Sequence, residues 1–540
     1  MPTNVRDLIT EHDFLWNQNA NFRAYAQDMS EFVLPRKAWK TSIRAQGERI
    51  KFNFLYDSTA IRALRNSASG FYTNLTNPVT RWVAFETLNK EFMKDLEVRT
   101  WFRGIEDTSF ATLGQSNFYN VILEFFTDSI GFGPGTFLML EDARNKVRFE
   151  EMPVENISRV EDASGRLSAI YRAFKLTATQ AFQLWGNKAG KSVLESIAQK
   201  PYDEFDFIHI VKERHERDVS KKDSLNMPWK SVWIARKDEH LILESGFIEN
   251  PYISEVFYHD PRDPNGFSPT MDVLADIKLA NAIKRTLIRA GMKQADPPYM
   301  LPSRGFMLPL NFNPSATNYR DAKTKNDDLQ VLPVGTGKSF LTQEFLISVQ
   351  DDIKDGLFSN LFRSLQEITK QMTIPEIQRR VADNMGLLAP VVNRFTHGAL
   401  DPMFTRLFGI LSRRGDIPEP PEILRDQDFT MVYLSPLAKA MKASEVGEIE
   451  AFLMDVQAVG TILPQAYDKI DEDKTIDVLS KMRAITPEIM RDDEAIAQIR
   501  KLRAEQDQLI AALQAGQGVS QIAKDGAQAE KASAEAGVSK

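Results

Sequence analysis

The sequence predicts an α+β protein. Three patterns lead there. Long stretches carry apolar residues every three or four positions, a central stretch carries short apolar runs between turn signals, and a Pro-rich loop separates two helical runs of matched length. The chain has 540 residues, 43% hydrophobic and 26% charged, which suits a globular protein of about three or four domains.

Helical periodicity covers residues 3–33 and ends near Pro35. Arg36, Lys37, Lys40 and Arg44 follow as a basic connector, expected to be a solvated surface loop. Asp57 or Ser58 caps the next helix, which runs through Ile61, Leu64 and Ala68 and is expected to break at Gly70. Trp82 to Phe85 reads as a short buried strand. Residues 89–130 are helical again, with Trp101, Phe102, Phe110, Phe118 and Phe125 on a large apolar face. From 136 to 260 the pattern changes to short strands. Residues 158–160 with 167–174 form one hairpin, and 232–235 with 241–243 another. Residues 177–198 are a helical insertion, and strands are expected at 205–211 and 253–258. These strands imply an antiparallel sheet.

Ser268-Pro269 opens a long helix, with Ser as N-cap and Pro at the first helical position. Residues 271–293 would span roughly 35 Å. Asp296-Pro297-Pro298 stops the helix, a Pro-rich loop with small strands of its own follows, and Phe345 to Leu365 is a returning helix. Two matched rods around a compact loop have the form of a stalk. Thr373-Ile374-Pro375-Glu376 has the form of a capping box and starts a longer helix, which Pro390 and Pro402 should kink and Gly415 should end. Residues 428–434 are a strand, 445–485 a broken helical run, and 487–514 a last helix. Residues 515–540 have almost no large apolar side chain and read as disordered.

The formal charge of −7 argues against a protein that grips nucleic acid over its whole surface. Zero Cys removes disulfides, thiol nucleophiles and thiolate metal sites together. None of the six His forms a zinc-type pair. No run approaches the about 18 apolar residues of a membrane span, and no secretory signal is expected. Gly131 to Thr136 invites a phosphate-loop reading, but it lacks the Lys and enters a strand, so a tight turn is expected. Val334-Gly335-Thr336-Gly337-Lys338-Ser339 ends as a Walker A motif ends. Its first required Gly is Leu332, and Pro333 sits where the loop should bend. No enzyme, cofactor or metal is therefore expected. Lys284, Arg285, Arg289 and Lys293 put a basic end on the first rod, which either compensates the helix dipole or meets an anionic partner.

Several short stretches, taken in order, resemble the portal proteins (head-to-tail connectors) of short-tailed, T7-like bacteriophages. They are Asp57-Ser58-Thr59-Ala60, Leu75-Thr76-Asn77-Pro78 with Trp82, Gly133 to Thr136, Gly266 to Pro269, Asp276-Ile277-Lys278, Pro297-Pro298, and Phe404 to Gly415 with Ile417-Pro418. The resemblance covers roughly residues 5–510. The chain departs from it at Thr373 to Glu376, where such connectors have an Ala-Thr-Glu-like start, and at Trp82-Val83, where they often carry Trp-Phe.

The resemblance implies an elongated subunit in a ring of about twelve at one capsid vertex. Residues 1–262 would be the wing, 263–296 and 345–365 the two stem helices, and 297–344 a small α/β clip. Residues 366–374 would be the tunnel loop, 375–437 the long wing helix and returning strand, 438–486 the crown and 487–514 a barrel helix. The partners implied are the terminase large subunit, a tail adaptor, the major capsid and scaffolding proteins, and double-stranded DNA without sequence specificity. Lys278, Arg285, Arg289, Lys293 and Lys370 are the DNA-channel candidates, or else pair with acids of a neighbouring subunit. Gln371, Met372 and Thr373 are tunnel-loop candidates, and Arg304, Arg320, Lys323 and Lys325 clip-docking candidates. The expected location is the virion, with the host cytoplasm before assembly. The alternatives are a tail adaptor or internal scaffold, and a nucleotide-binding enzyme using Lys338-Ser339.

Overall fold

A computed structural model describes residues 4–38, 53–221, 223–295, 299–300, 330–331, 343–366, 388–425 and 429–434, with shorter pieces between 449 and 508. The chain divides into two compact units, Met1–Leu88 with Thr100–Ser444 and Asn89–Arg99 with Glu445–Lys540.

In the first unit, Asn4 caps α1 (Val5–Gln18) by accepting from Arg6 N, and α2 (Ala20–Phe32) follows directly. α3 (Thr59–Leu75) does not break at Gly70. A Cβ at that position would overlap the Phe362 ring, so the glycine serves a close approach between helices rather than a helix end. β1 (Val83–Thr87) is the expected strand; α4 (Leu96–Gln115) and α5 (Phe118–Phe132) fill the long helical stretch. At Gly133, with φ +110°, the chain turns into β2 (Pro134–Asp142), the tight turn expected there. Helix precedes strand here, the reverse of a phosphate loop, and a Cβ at Gly135 would overlap Ser129 and Phe125.

β3 (Lys146–Glu151), β4 (Ile157–Glu161) and β5 (Leu167–Thr177) lead to α6 (Ala178–Trp185) and α7 (Lys191–Gln199). Then come β6 (Glu204–Glu213), β7 (Trp229–Ala235), β8 (His240–Phe247) and β9 (Tyr252–Val256). Strands β4 to β8 form a five-stranded antiparallel sheet in sequence order, and β3-β2-β9 a three-stranded one. Both faces of the larger sheet are covered. Tyr171, Ile208, Ile210, Val232 and Ile234 pack under Leu8 of α1. On the other face Phe174, Phe207 and Ala235 pack under α6 and α7, while Ile170 and Val211 meet Leu138 and Tyr252. Burial on both sides explains why 207–211 is nearly all apolar.

β10 (Tyr258–Asp260) and β11 (Asp263–Phe267) make a small hairpin before α8 (Pro269–Asp272) and α9 (Leu274–Ala295). β12 (Tyr299–Met300) pairs with β13 (Gln330–Val331), the part of the Pro-rich loop that lies among the described residues. The returning run is two helices, α10 (Gln343–Gly356) and α11 (Ser359–Gln366), separated at Phe358 with φ +61°. Further on are α12 (Ala389–Phe395) and α13 (Asp401–Arg414). Between them Thr396–Leu400 widens into a π turn, because Pro402 has no N–H to offer the preceding turn. Gly415, at φ +76°, ends α13 as expected. β14 (Phe429–Tyr433) pairs antiparallel with β1.

An aromatic cluster joins these parts. Phe71 of α3 meets Phe126 of α5, Phe257, Phe362 of α11 and Phe395 of α12 at centroid distances of 5.2–6.0 Å. The basic connector differs from expectation. Lys37 Nζ lies 2.6 Å from both Asp128 and Glu151 and 2.9 Å from Glu124, which also accepts from Arg36. Burial alone would lower the Lys37 pKa, but the three carboxylates outweigh it and raise it. α5 and β3 therefore anchor this segment; Lys40 and Arg44 lie outside the described residues.

In the second unit, the helix Glu472–Met482 and helical segments 452–458 and 496–506 agree with the expected helical runs. Arg500 clasps Asp473 through two 2.6 Å hydrogen bonds. The end of the chain, 515–540, lies outside the described residues.

Candidate functional site

The basic rod singled out by the sequence is α9. Ser268 is an N-cap as expected, accepting from Met271 N at 3.2 Å, but it caps the short α8; the single helix expected from Ser268-Pro269 onward is interrupted at Val273, and α9 starts at Leu274. Ile277, Ala280 and Ile283 then form its buried stripe, and Leu346, Val349 and Ile353 that of its antiparallel partner α10. At one end of the pair Gly356 leaves no room for a Cβ against Val273.

Polar contacts lock the middle of α9 to the start of α3. Asn281 Oδ1 accepts from Tyr56 N at 2.7 Å and Asp57 N at 3.1 Å, and its Nδ2 donates to Phe54 O at 2.9 Å. Asp57 caps α3 through Thr59 N at 2.8 Å, and it accepts from Gln350 of α10 at 2.7 Å and Lys284 of α9 at 3.2 Å. One carboxylate thus ties three helices. Burial pushes its pKa up, but the hydrogen bonds from Thr59, Gln350 and Lys284 prevail and hold it below the ordinary value.

The basic candidates therefore separate. Lys284 is taken by Asp57. Lys278 pairs with Asp28 at 2.6 Å and lies 5.6 Å from the Phe32 ring centre. Arg285, Arg289 and Lys293 are exposed along the last three turns of α9, Arg285 with its guanidinium 5.8 Å from the Tyr56 ring centre. None of these three makes an ion pair among the described residues. Lys370, Gln371, Met372, Thr373, Arg304, Arg320, Lys323 and Lys325 lie outside the described residues, as do the Walker-like Val334 to Ser339 and the capping-box stretch Thr373 to Glu376.

No group of three or more His, Asp or Glu among the described residues could hold a metal, and no described helix is long and apolar enough to cross a membrane. His209 is buried, its ring nitrogens 2.7 Å from Tyr252 Oη and 3.0 Å from Ser231 Oγ, with the ring stacked on Trp233. Its surroundings are those of a core histidine. Sequence reasoning missed Arg406, which is 1% exposed and donates to Met139 O at 3.0 Å and Glu249 O at 2.9 Å. Burial lowers its pKa to about 10, so it stays charged at neutral pH. The available signal was an Arg on the apolar stripe Met403, Leu407, Ile410 of α13.

What the site offers is a braced helix pair with an exposed cationic end, fit to touch an anionic polymer without reading it. The comparisons with known proteins concern the chain as a whole. The probable portal protein of Bordetella phage BPP-1 is 27% identical over 529 residues, covering 96% of this chain and 95% of that one. The portal protein of Salmonella phage epsilon15 is 25% identical over 533 residues, covering 97% and 95%. The pattern of the family described as "Bacteriophage head to tail connecting protein" matches residues 5–490, nearly the whole chain, and the chain belongs to that family.

Proposed function

We propose that this chain is the portal subunit of a bacteriophage: copies close into a ring at one capsid vertex, and double-stranded DNA passes through it during packaging and ejection. The carrying observation is the family match across residues 5–490, with full-length likeness to two portal proteins. In this reading 263–296, with α9, and 345–365, with α10 and α11, are the stem, 297–344 is the clip that docks the terminase large subunit and then the tail adaptor, and 366–374 is the tunnel loop. The ring has about twelve subunits and sits among capsid and scaffolding proteins. A portal is a conduit rather than an enzyme.

Duplex DNA carries one negative charge per about 1.7 Å, so a densely basic bore would hold it fast. A chain of net charge −7 that exposes three cations along the last turns of α9 avoids that. Lys278 is already held by Asp28, so the phosphate contacts of the stem rest on Arg285, Arg289 and Lys293. Electron microscopy and native mass spectrometry of the purified chain test the reading. The expected particle is a closed ring at an integral multiple of 61.3 kDa, and a chain that stays monomeric at high concentration would refute it.

A further inference from the structure

A ring built head to tail needs two different, mutually complementary patches on every copy. α3 and α10 carry such a pair. The seventeen residues of α3 include Arg62 and Arg65 and no acid. Both arginines are exposed, and neither makes an ion pair among the described residues. Ser69 and Thr73 continue the exposed face, so it presents donors and no carboxylate. On α10 the exposed face holds Glu344, Asp351, Asp352 and Asp355. Only Asp351 there has a cation, Lys354 of its own helix, among the described residues; Asp355 accepts from Asn360.

The two faces point apart. α3 and α10 pack against each other, with Gln350 on Asp57 and the Leu357 carbonyl taking the Ser67 hydroxyl. Arg62, Ser69 and Thr73 lie across α3 from its buried Leu64, Ala68 and Phe71. Asp351 and Asp355 lie across α10 from its buried Leu346, Val349 and Ile353. One copy therefore cannot close the two faces on itself, whereas successive copies can.

We propose that Arg62 and Arg65 of one copy dock on the acidic face of α10 in the next, an ionic latch between subunits. This rests on the ring reading above and names one of its contacts. Sparse, solvent-facing pairs favour register and reversibility over affinity, so assembly should weaken as salt rises.

Charge reversal tests it on the full chain, with circular dichroism confirming that each variant folds. The double variant Arg62→Glu, Arg65→Glu should lower the assembled fraction at fixed concentration by about tenfold, as should Asp352→Lys with Asp355→Lys. All four substitutions in one chain restore complementarity and should recover rings. Normal assembly of either double variant overturns the latch, as does loss in both with no recovery in the combined chain. Normal assembly with weakened DNA retention would instead assign the arginines to DNA. A wild-type chain that forms no ring sinks the portal reading as well, which separates that failure from one confined to the latch.

Discussion

Asp57 is a short side chain whose consequences are long-range. Asp57→Ala removes the cap of α3 and leaves Gln350 and Lys284 without their shared acceptor. The expected loss is about 2 kcal/mol in urea unfolding, with α9 and α10 exchanging amide hydrogens faster than α5. Arg406→Met fills similar volume but strands the carbonyls of Met139 and Glu249. It should cost about 2–4 kcal/mol, read as a lower urea midpoint. His209 sets a pH dependence. Burial holds its folded pKa well below 6.5, so the fold keeps the neutral ring while the unfolded chain gains a proton as pH falls below that value. Stability is unaffected by this group above pH 6.5 and drops below it by up to about 1.4 kcal/mol per pH unit. His12, also lowered by burial, adds to the same slope. The depressed Asp57 acts in a separate window, losing its contribution only as pH falls below 3.8. Melting temperatures of wild type and His209→Gln at pH 7.5 and 5.5 check this: the variant should show the smaller drop.

Among the elements, the joint between α3 and α11 is the most tightly specified. Phe362 occupies the space that a side chain at Gly70 would need, and its ring then meets Phe71. Gly70→Ala should destabilise by about 1–3 kcal/mol through overpacking. Adding Phe362→Leu should recover part of that loss, a coupling that a thermal double-mutant cycle would read. The expectation of a helix break at Gly70 treated the glycine by its backbone propensity alone. A neighbour 292 positions along the chain decided the matter. At Pro402 the reasoning was local and succeeded, because a missing N–H disturbs its own turn whatever packs outside. At Lys37 it failed, since a run of cations reads as solvated until three carboxylates from α5 and β3 are brought to it.

At the scale of the whole molecule, the proposed conduit should respond to charge without regard to DNA sequence. In assembled rings, Arg289→Ala or Lys293→Ala should weaken duplex retention equally for all sequences. The slope of log affinity against log salt should become shallower by up to about 0.9 for each phosphate no longer neutralised. A sequence-dependent loss, or an unchanged slope, would remove these residues from the channel wall. Lys278→Ala should instead show as lost stability, because its ammonium already serves Asp28.

Read alone, the sequence yields the α+β class, most helix and strand positions, the caps at Ser268 and Gly415, and the family, since each rests on local periodicity, turn chemistry or motif order. Folding in three dimensions settles which basic residues of α9 are spent inside the chain and which stay exposed. It also makes Gly70 a notch rather than a break, and turns Arg406 and Lys37 into anchors. The reason is the same in each case. A charge or a glycine has no fixed role until distant residues supply its partner or its neighbour, and spacing along the chain does not encode that proximity.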